Sequence, residues 1–407
     1  EACQGQPSCS WHLRRSGWAW ARAEPRWHLV DLADIQWREF RGSLPLLLAA
    51  AAALAVLVRL LLWALERQPG LAAGARRSSV PGALVRLLPG LGFVAYVHGF
   101  GIAFPAALVA AFYLVARLTA GTRAAVPAAW GLALLAIAAK EPQWPLRRRL
   151  TFGALAGPRW AFLDGQAYQG EYDWAQSVNL IVLRLLSFAL DGHAAATREK
   201  QAPGGLWPAL PARYSLAHGL SHAFYAPVVL AGPTIGFDDY LEQCASPRPT
   251  LSQLGSYLVQ LACACAALEA FTHLYPCFAL ARSGAIGEFS PRLGVTAVFL
   301  TLNLMWLKFL VLWRVARAWA LADGIDVPEN MRRALCNHYS LVSFWRCWHS
   351  SFNRWLVRYV YVPVGGRNNK IIAAAVTFAF VALWHDAEVK LLAWGGLNAL
   401  FLACETL

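Results

Sequence analysis

The stretch FVALWHD, residues 380–386, places a histidine and an aspartate at the end of a long apolar run. Histidine changes its charge near neutral pH, so His385 is a candidate proton acceptor. Asp386 follows it directly and is a candidate partner that orients the imidazole. The upstream residues 371–384 carry no charge. The alternative interpretation is a histidine and an aspartate that only flank a helix at a membrane surface.

A second group of polar side chains lies upstream, in FWRCWHSSFNRWLVRYVYVPVGG, residues 344–366. On an ideal helix, residues 345–355 present aromatic side chains on one face and polar side chains on the opposite face. His349 and Asn353 are four positions apart and are therefore neighbours on that helix. The pattern predicts one amphipathic helix. An interfacial helix with an aromatic belt and a catalytic helix both fit it.

The elements that must position these side chains are membrane helices. Hydrophobic residues make up 58% of the 407 residues and charged residues 14%, whereas soluble domains carry about 25% charged residues. The apolar run at residues 43–65 is interrupted by Arg59 alone and is long enough to cross a bilayer. The composition therefore predicts an all-α, polytopic membrane protein.

We predict roughly nine to eleven membrane-embedded helices, with boundaries accurate to a few residues. Two apolar segments, 125–139 and 176–190, are short for a full crossing and are expected to be tilted or re-entrant. Pro89 and Pro105 are expected to divide the segment 81–118. The remaining predicted spans are residues 43–65, 217–235, 251–271, 293–321, 371–384 and 391–404, and the longer loops are residues 191–213 and 236–250.

The net charge of +13 does not point to nucleic acid. The basic residues lie between apolar runs, as membrane topology and attraction to the membrane surface require. Nine cysteines occur without a CxxC pattern or ligand-like spacing to histidine, so no metal site is predicted. Cys3 and Cys9 are the one pair that resembles a disulfide.

The chain divides into a pre-membrane segment, residues 1–42, and a membrane domain, residues 43–407. Residues 1–42 mix tryptophan with arginine and contain no apolar core of a signal peptide. The first residue is not methionine, and the last residues follow an apolar run directly. We therefore expect both regions to be incomplete at the chain ends.

WRCWHSSFNRWLVRYVYVPVGG followed by FAFVALWHD resembles the membrane-bound O-acyltransferase (MBOAT) family, whose members carry a WHxSFNxW-like helix and a later invariant histidine. The finer resemblance is to the glycerol uptake protein (Gup) branch and, more distantly, to Hedgehog acyltransferase. Three further segments agree in order and spacing, namely residues 31–47, residues 179–191 with Arg184 and Ser187, and residues 225–243.

The resemblance implies a helical bundle around an internal tunnel and acyl transfer from acyl-CoA to a hydroxyl or an amine. The catalytic histidine of the family falls on His385, which would act as a general base. The second polar position falls on His349 or Asn353, and the choice between them stays open. That side chain would bind the thioester carbonyl or orient the acceptor. Asp386 would orient the imidazole of His385.

Acyl-CoA is expected as a co-substrate, and no tightly bound cofactor is expected. Arginine engages phosphate through two parallel bonds, so the basic residues near the motif are candidates for the CoA phosphates. Ordinary contact with lipid headgroups is the alternative. The candidates are Arg346, Arg354, Arg358, Arg367 and Lys370. Arg184 is expected to pair with Asp191 or a glutamate, or otherwise to help bind donor or acceptor.

The Gup resemblance implies a lyso-glycosylphosphatidylinositol (lyso-GPI) lipid, or the GPI-anchored protein that carries it, as acceptor in the endoplasmic reticulum membrane. Acylation of a protein, as by Hedgehog acyltransferase, is one alternative. A glycerol/proton transporter is another, although transporters are usually built from repeated halves and this sequence shows no internal duplication.

Overall fold

The computed structural model describes residues 13–15, 29–70, 72–201, 210–246, 251–386 and 388–406. These residues are almost entirely helical, which confirms the all-α class. Two short strands, β1 (Leu13–Arg15) and β2 (Leu29–Asp31), pair antiparallel ahead of the first long helix. The suggested pair Cys3 and Cys9 lies outside the described residues.

Seventeen α-helices follow in the described part of the chain. The first nine are α1 (Ile35–Glu66), α2 (Ala73–Arg77), α3 (Val80–His98), α4 (Ala103–Thr119), α5 (Ala125–Lys140), α6 (Pro145–Arg149), α7 (Phe152–Ala156), α8 (Ala175–Gln201) and α9 (Leu216–Ala223). The others are α10 (Phe237–Ala245), α11 (Leu251–Leu274), α12 (Cys277–Ser283), α13 (Pro291–Ala322), α14 (Leu341–Cys347), α15 (Ser350–Leu356), α16 (Lys370–His385) and α17 (Val389–Thr406).

Five stretches of the described chain are helical, long and apolar enough to cross a membrane, and two shorter apolar helices accompany them. The five stretches are residues 35–66, 80–119, 175–199, 252–274 and 291–322, and the shorter helices are α5 and α16. These elements agree with a multi-pass membrane protein. The predicted total of nine to eleven is not confirmed by this count.

Three predicted boundaries are wrong. Residues 217–235 do not form a span, because α9 has eight residues and the chain then turns through Pro227 and Gly232. The predicted loop 191–213 is helical as far as Gln201, because several of its side chains are buried in the core. The predicted loop 236–250 contains α10.

The break within residues 80–119 lies at Gly99, and not at either proline. Gly99 has φ 56°, and a β-carbon there would approach the carbonyl oxygen of Tyr168 to 2.3 Å. Only glycine fits such a close backbone approach with a positive φ. Pro89 stays inside α3 and Pro105 lies in the first turn of α4, where no helical hydrogen bond is lost.

Helix α8 is the most buried of the five candidate spans and organises the bundle. Its start is near the end of α3, where the amide of Tyr172 donates to the carbonyl of Val97 at 2.9 Å. Its far part is near the end of α4, where the amide of Gly121 donates to Nδ1 of His193 at 3.1 Å. Helix α4 therefore runs alongside α8, and the break at residues 99–102 lies at the same end of the bundle as the start of α8.

Among the described residues, Arg184 does not pair with a carboxylate, contrary to the first expectation. It is fully buried in α8 and donates to the backbone carbonyls of Ala223, at 2.9 Å, and of Val228. Asp191 instead accepts from Arg358 at 2.8 Å and from Tyr359 at 2.9 Å. The buried guanidinium of Arg184 thus connects α8 to the turn after α9 by hydrogen bonds to backbone carbonyls.

Candidate active site

His349 interrupts the predicted amphipathic helix. Its backbone is left-handed, with φ 48° and ψ 45°, so α14 ends before it and α15 begins after it. An L-residue in this region is strained by about 1–2 kcal/mol. Two backbone amides after it hold the turn: Ser350 donates to the carbonyl of Asn330 at 3.0 Å, and Ser351 to the side-chain oxygen of Asn330 at 3.1 Å.

Aromatic rings surround the imidazole of His349. The ring centroids of Trp313, Phe352 and Trp384 lie 4.5, 5.2 and 6.2 Å from that of His349. The ring of Trp384 also lies 4.8 Å from that of His385, so one tryptophan contacts both histidines. The two histidines are far apart in the sequence but lie close together in the structure.

The imidazole of His349 is neutral at physiological pH. Burial of the ring, together with the nearby His385, lowers the pKa of His349 to about 3. Its Nδ1 is buried without a hydrogen-bond partner among the described residues. The Nε2 atom is therefore the ring nitrogen available for hydrogen bonding.

His349 and His385 line one cavity of about 190 Å³. Trp313 and Trp384 form apolar parts of its wall, and Gln176 and Asn179 add amides from the start of α8. The residues 230–232 after α9 close another side. Asn353 is not among the described residues that line the cavity, so the structure brings His349 rather than Asn353 to His385.

Asp386 does not contact the imidazole of His385 through a hydrogen bond within the described chain. Its carboxylate binds Nζ of Lys140 at 3.2 Å. Lys140 is buried at the end of α5, pairs with Glu141 at 2.7 Å, and donates to the carbonyl of His385 at 3.4 Å. Lys140 thus links the carboxylate of Asp386 to the backbone carbonyl of His385.

Asn179 holds the residue before His385 from the other side. Its Nδ2 donates to the carbonyl of Trp384 at 2.7 Å, and Nε1 of Trp384 donates back to the carbonyl of Asn179 at 2.9 Å. The last carbonyls of a helix have no partner within it. Side chains from α5 and α8 therefore satisfy the end of α16 and fix where His385 lies.

Sequence reasoning missed Lys140, Gln176 and Asn179. Asn179 begins the segment NLIVLRLLSFALD, in which Arg184 and Ser187 alone were singled out. Lys140 ends an otherwise uncharged run from residue 125, which was a detectable signal. Gln176 carried no signal, because an exposed amide at the start of a helix is common.

The five basic candidates for phosphate binding do not line the cavity. Arg358 is engaged by Asp191 at 2.8 Å and lies 4.0 Å from Asp239. Lys370 begins the helix that His385 ends, about 22 Å away along its axis. The other candidates are exposed and form no ion pair with described residues, namely Arg346, Arg354 and Arg367. Their phosphate-binding role stays a prediction.

The two ends of the bundle differ in chemistry. We call the end that holds Lys140, Asn179 and His385 the histidine end. The opposite end holds Arg358 and Lys370, and Asp191 lies about 18 Å along α8 from Asn179. The candidates Arg358 and Lys370 therefore lie well away from His385, which is at the histidine end.

Comparison with known proteins identifies the family of the chain. The model of the MBOAT, membrane-bound O-acyltransferase family, matches residues 159–407, which include both histidines and Asn179 but not Lys140. The membrane-bound O-acyltransferase gup1 of Schizosaccharomyces pombe is 32% identical over 399 residues, covering 93% of this chain and 66% of the relative.

Two further relatives match the chain in part. The membrane-bound O-acyltransferase GUP2 of Saccharomyces cerevisiae is 43% identical over 195 residues, which are 47% of this chain and 32% of the relative. The protein-cysteine N-palmitoyltransferase HHAT of Mus musculus is 30% identical over 198 residues, 46% of this chain and 39% of the relative. The chain thus spans less than two thirds of each of these relatives. Because the family model matches more than half of the chain and the relatives are Gup proteins, the chain belongs to the membrane-bound O-acyltransferase family, in the branch of the Gup proteins.

Proposed function

We propose that this protein is an acyl-CoA-dependent O-acyltransferase that moves a long fatty acyl chain to a hydroxyl acceptor. The observation that carries the proposal is the cavity shared by His349 and His385 in a chain of this family. A thioester is already activated, so the enzyme has to deprotonate the acceptor and place it.

His385 acts as the general base in this proposal. Its imidazole takes the proton of the acceptor hydroxyl while the oxygen attacks the thioester carbon. The C–S bond then breaks, and the CoA thiolate leaves and takes a proton from the imidazolium. General-base catalysis contributes about 10²- to 10⁴-fold in rate, or roughly 3 to 5.5 kcal/mol. The supports from Lys140 and Asn179 hold its backbone and leave the ring to the cavity.

His349 stabilises the negative charge that develops on the carbonyl oxygen. A neutral imidazole with Nδ1 buried has Nε2 free to donate a hydrogen bond. A donor fixed in place before the reaction is worth about 10²- to 10³-fold in rate when it meets the oxyanion. The surrounding tryptophan and phenylalanine rings exclude water and fix the ring orientation.

The donor and the acceptor approach from different ends of the bundle. Basic side chains at the opposite end, including Arg358, Arg367 and Lys370, would hold the CoA phosphates. The thioester would then reach His385 through the bundle, which requires the internal tunnel that the family resemblance implies. The distance of about 22 Å along α16 between Lys370 and His385 supports this arrangement.

The acceptor in this proposal is a lyso-GPI lipid or the GPI-anchored protein that carries it, in the endoplasmic reticulum membrane. The similarity to the membrane-bound O-acyltransferase gup1 along most of the chain supports a hydroxyl acceptor. The more limited similarity to a protein-cysteine N-palmitoyltransferase makes a peptide amine the competing acceptor.

The test is acyl transfer by purified protein in vesicles, with labelled palmitoyl-CoA and either lyso-GPI or a peptide with an N-terminal cysteine. Transfer to lyso-GPI that is abolished by His385→Gln supports the proposal. His338→Gln is the matched control, because His338 lies outside the cavity and bonds Ser343. Full turnover by His385→Gln refutes the general base. Transfer to the peptide alone refutes the proposed acceptor. Glycerol uptake without acyl transfer refutes the proposed reaction.

A further inference from the structure

Four exposed aromatic side chains form a continuous row at the histidine end. Phe100 lies 6.0 Å from Tyr168, Tyr168 lies 5.2 Å from Phe162, and Phe162 lies 6.3 Å from Trp160, between ring centroids. Each of the four is 40% to 52% exposed. We call this set the aromatic row. It joins the helix break at residues 99–102 to the segment 141–173 between α5 and α8.

Unpaired positive charge flanks the aromatic row. Arg147 is neutralised by Asp173 at 2.7 Å. Asp164 is occupied by the backbone amides of Phe152 and Gly153, at 2.8 and 2.9 Å. Three exposed arginines of the segment have no ion pair with the described residues, namely Arg148, Arg149 and Arg159. Glu171 is the one exposed acid that opposes them within residues 141–173.

The position of the segment places this face at a membrane surface. It begins after Lys140, which contacts Asp386, and it ends where α8 begins. Phe104, in the first turn of α4, stacks on Trp174 at 4.8 Å, so the starts of α4 and α8 lie at one level. The next turns of α8 carry Gln176 and Asn179 into the cavity wall. The segment thus lies beside the cavity, at the ends of several membrane helices.

We propose that residues 99–102 and 141–173 form a plate that binds the anionic phospholipid headgroups of the leaflet at the histidine end. Aromatic rings favour the headgroup level, where an apolar body and a polar edge are both accommodated. Arginines beside them attract anionic lipids and bind phosphate through two parallel bonds. An aromatic row of this size facing water alone is unfavourable, and its arginines fit a phosphate surface.

The experiment measures lipid contact and does not need enzymatic activity. Its result is therefore independent of whether the proposed reaction is correct. Purified protein is reconstituted in phosphatidylcholine vesicles that contain increasing amounts of phosphatidylserine with a photoactivatable group near its headgroup. Mass spectrometry then quantifies lipid adducts on peptides from residues 141–173. A phosphatidylcholine probe with the same photoactivatable group measures contact that does not depend on charge.

We expect phosphatidylserine to label the plate at a lower mole fraction than phosphatidylcholine. Each arginine near an anionic surface contributes roughly a fivefold preference. The double variant Arg148→Gln/Arg149→Gln should therefore raise the mole fraction for half-maximal labelling at least fivefold. The matched control is Arg117→Gln/Arg123→Gln, which removes two exposed arginines at the opposite end of α4 and should leave labelling unchanged.

Salt gives an independent check, since ionic strength screens exposed charges. Raising NaCl to molar concentration should reduce the preference for phosphatidylserine in the wild-type protein and have little effect in Arg148→Gln/Arg149→Gln. Equal labelling by the two probes, or equal labelling of wild type and variant, overturns the proposal. Crosslinks from the plate to a second copy of the chain, in place of lipid, overturn it as well.

Discussion

Replacing Asn179 with alanine removes the amide that donates to the carbonyl of Trp384 at 2.7 Å. That carbonyl belongs to the last turn of α16, where no amide of the helix itself follows to satisfy it. Leaving a buried acceptor without a partner costs about 1–3 kcal/mol. The end of α16 then shifts to find another donor, and His385, the next residue, shifts with it.

The expected loss of activity follows from the position of His385. A displacement of about 1 Å in reacting groups reduces the rate by about 10²-fold. Lys140 still binds the carbonyl of His385, so part of the support remains. We therefore expect the kcat of acyl transfer to fall about 10- to 100-fold in Asn179→Ala. The KM for acyl-CoA should change little, since the candidate phosphate-binding residue Lys370 lies at the opposite end.

The assay measures initial rates of labelled acyl transfer over a range of acyl-CoA concentrations, alongside thermal unfolding. Asn303→Ala is the matched control, because Asn303 also donates Nδ2 to a backbone carbonyl, that of Phe299 at 2.8 Å, but on α13. The reasoning is refuted if Asn179→Ala keeps a kcat within twofold of wild type. It is also refuted if the two variants lose kcat equally.

Three further predictions concern neighbouring contacts. Lys140→Met should lower kcat at least tenfold, because the lysine cation binds Glu141 and the end of α16. Lys140→Arg keeps the cation and should retain part of the activity, which the kinetics of the two variants check. His349→Gly should lose most activity but unfold at a higher temperature than His349→Val in a thermal melt, because glycine adopts φ 48° without strain and valine does not. Arg358→Gln should lower the melting temperature by leaving Asp191 buried without its cation, and adding Asp191→Asn should recover part of the loss.

The identity of His385 as a candidate could be predicted from the sequence, because a titratable side chain at the end of an apolar run is unusual. Its supports could not be predicted. Asn179 and Lys140 reach α16 from helices far away in the chain, and no local pattern specifies which carbonyl they meet. The carboxylate of Asp386 binds Lys140 and not the imidazole of His385 for the same reason, since adjacency in sequence does not set side-chain direction.

The helix over residues 345–355 shows where periodicity misleads. Its aromatic and polar positions fit a helical repeat, but the helix is interrupted at His349. There the amides of Ser350 and Ser351 donate to Asn330 instead of to the preceding helical turn. Bonds to a distant loop outweighed local helix formation. The break at Gly99 is similar, because a close approach of another backbone segment decided it and the nearby prolines did not.

By itself, the sequence determined the all-α membrane class, the family and His385 as a candidate base, because composition, apolar run length and motif order are local properties. Only the tertiary structure decided that His349, and not Asn353, shares a cavity with His385, and that α5 and α8 support the end of α16. The physical reason is that hydrogen bonds to the last carbonyls of a helix must come from outside it, and packing of distant helices selects their donors.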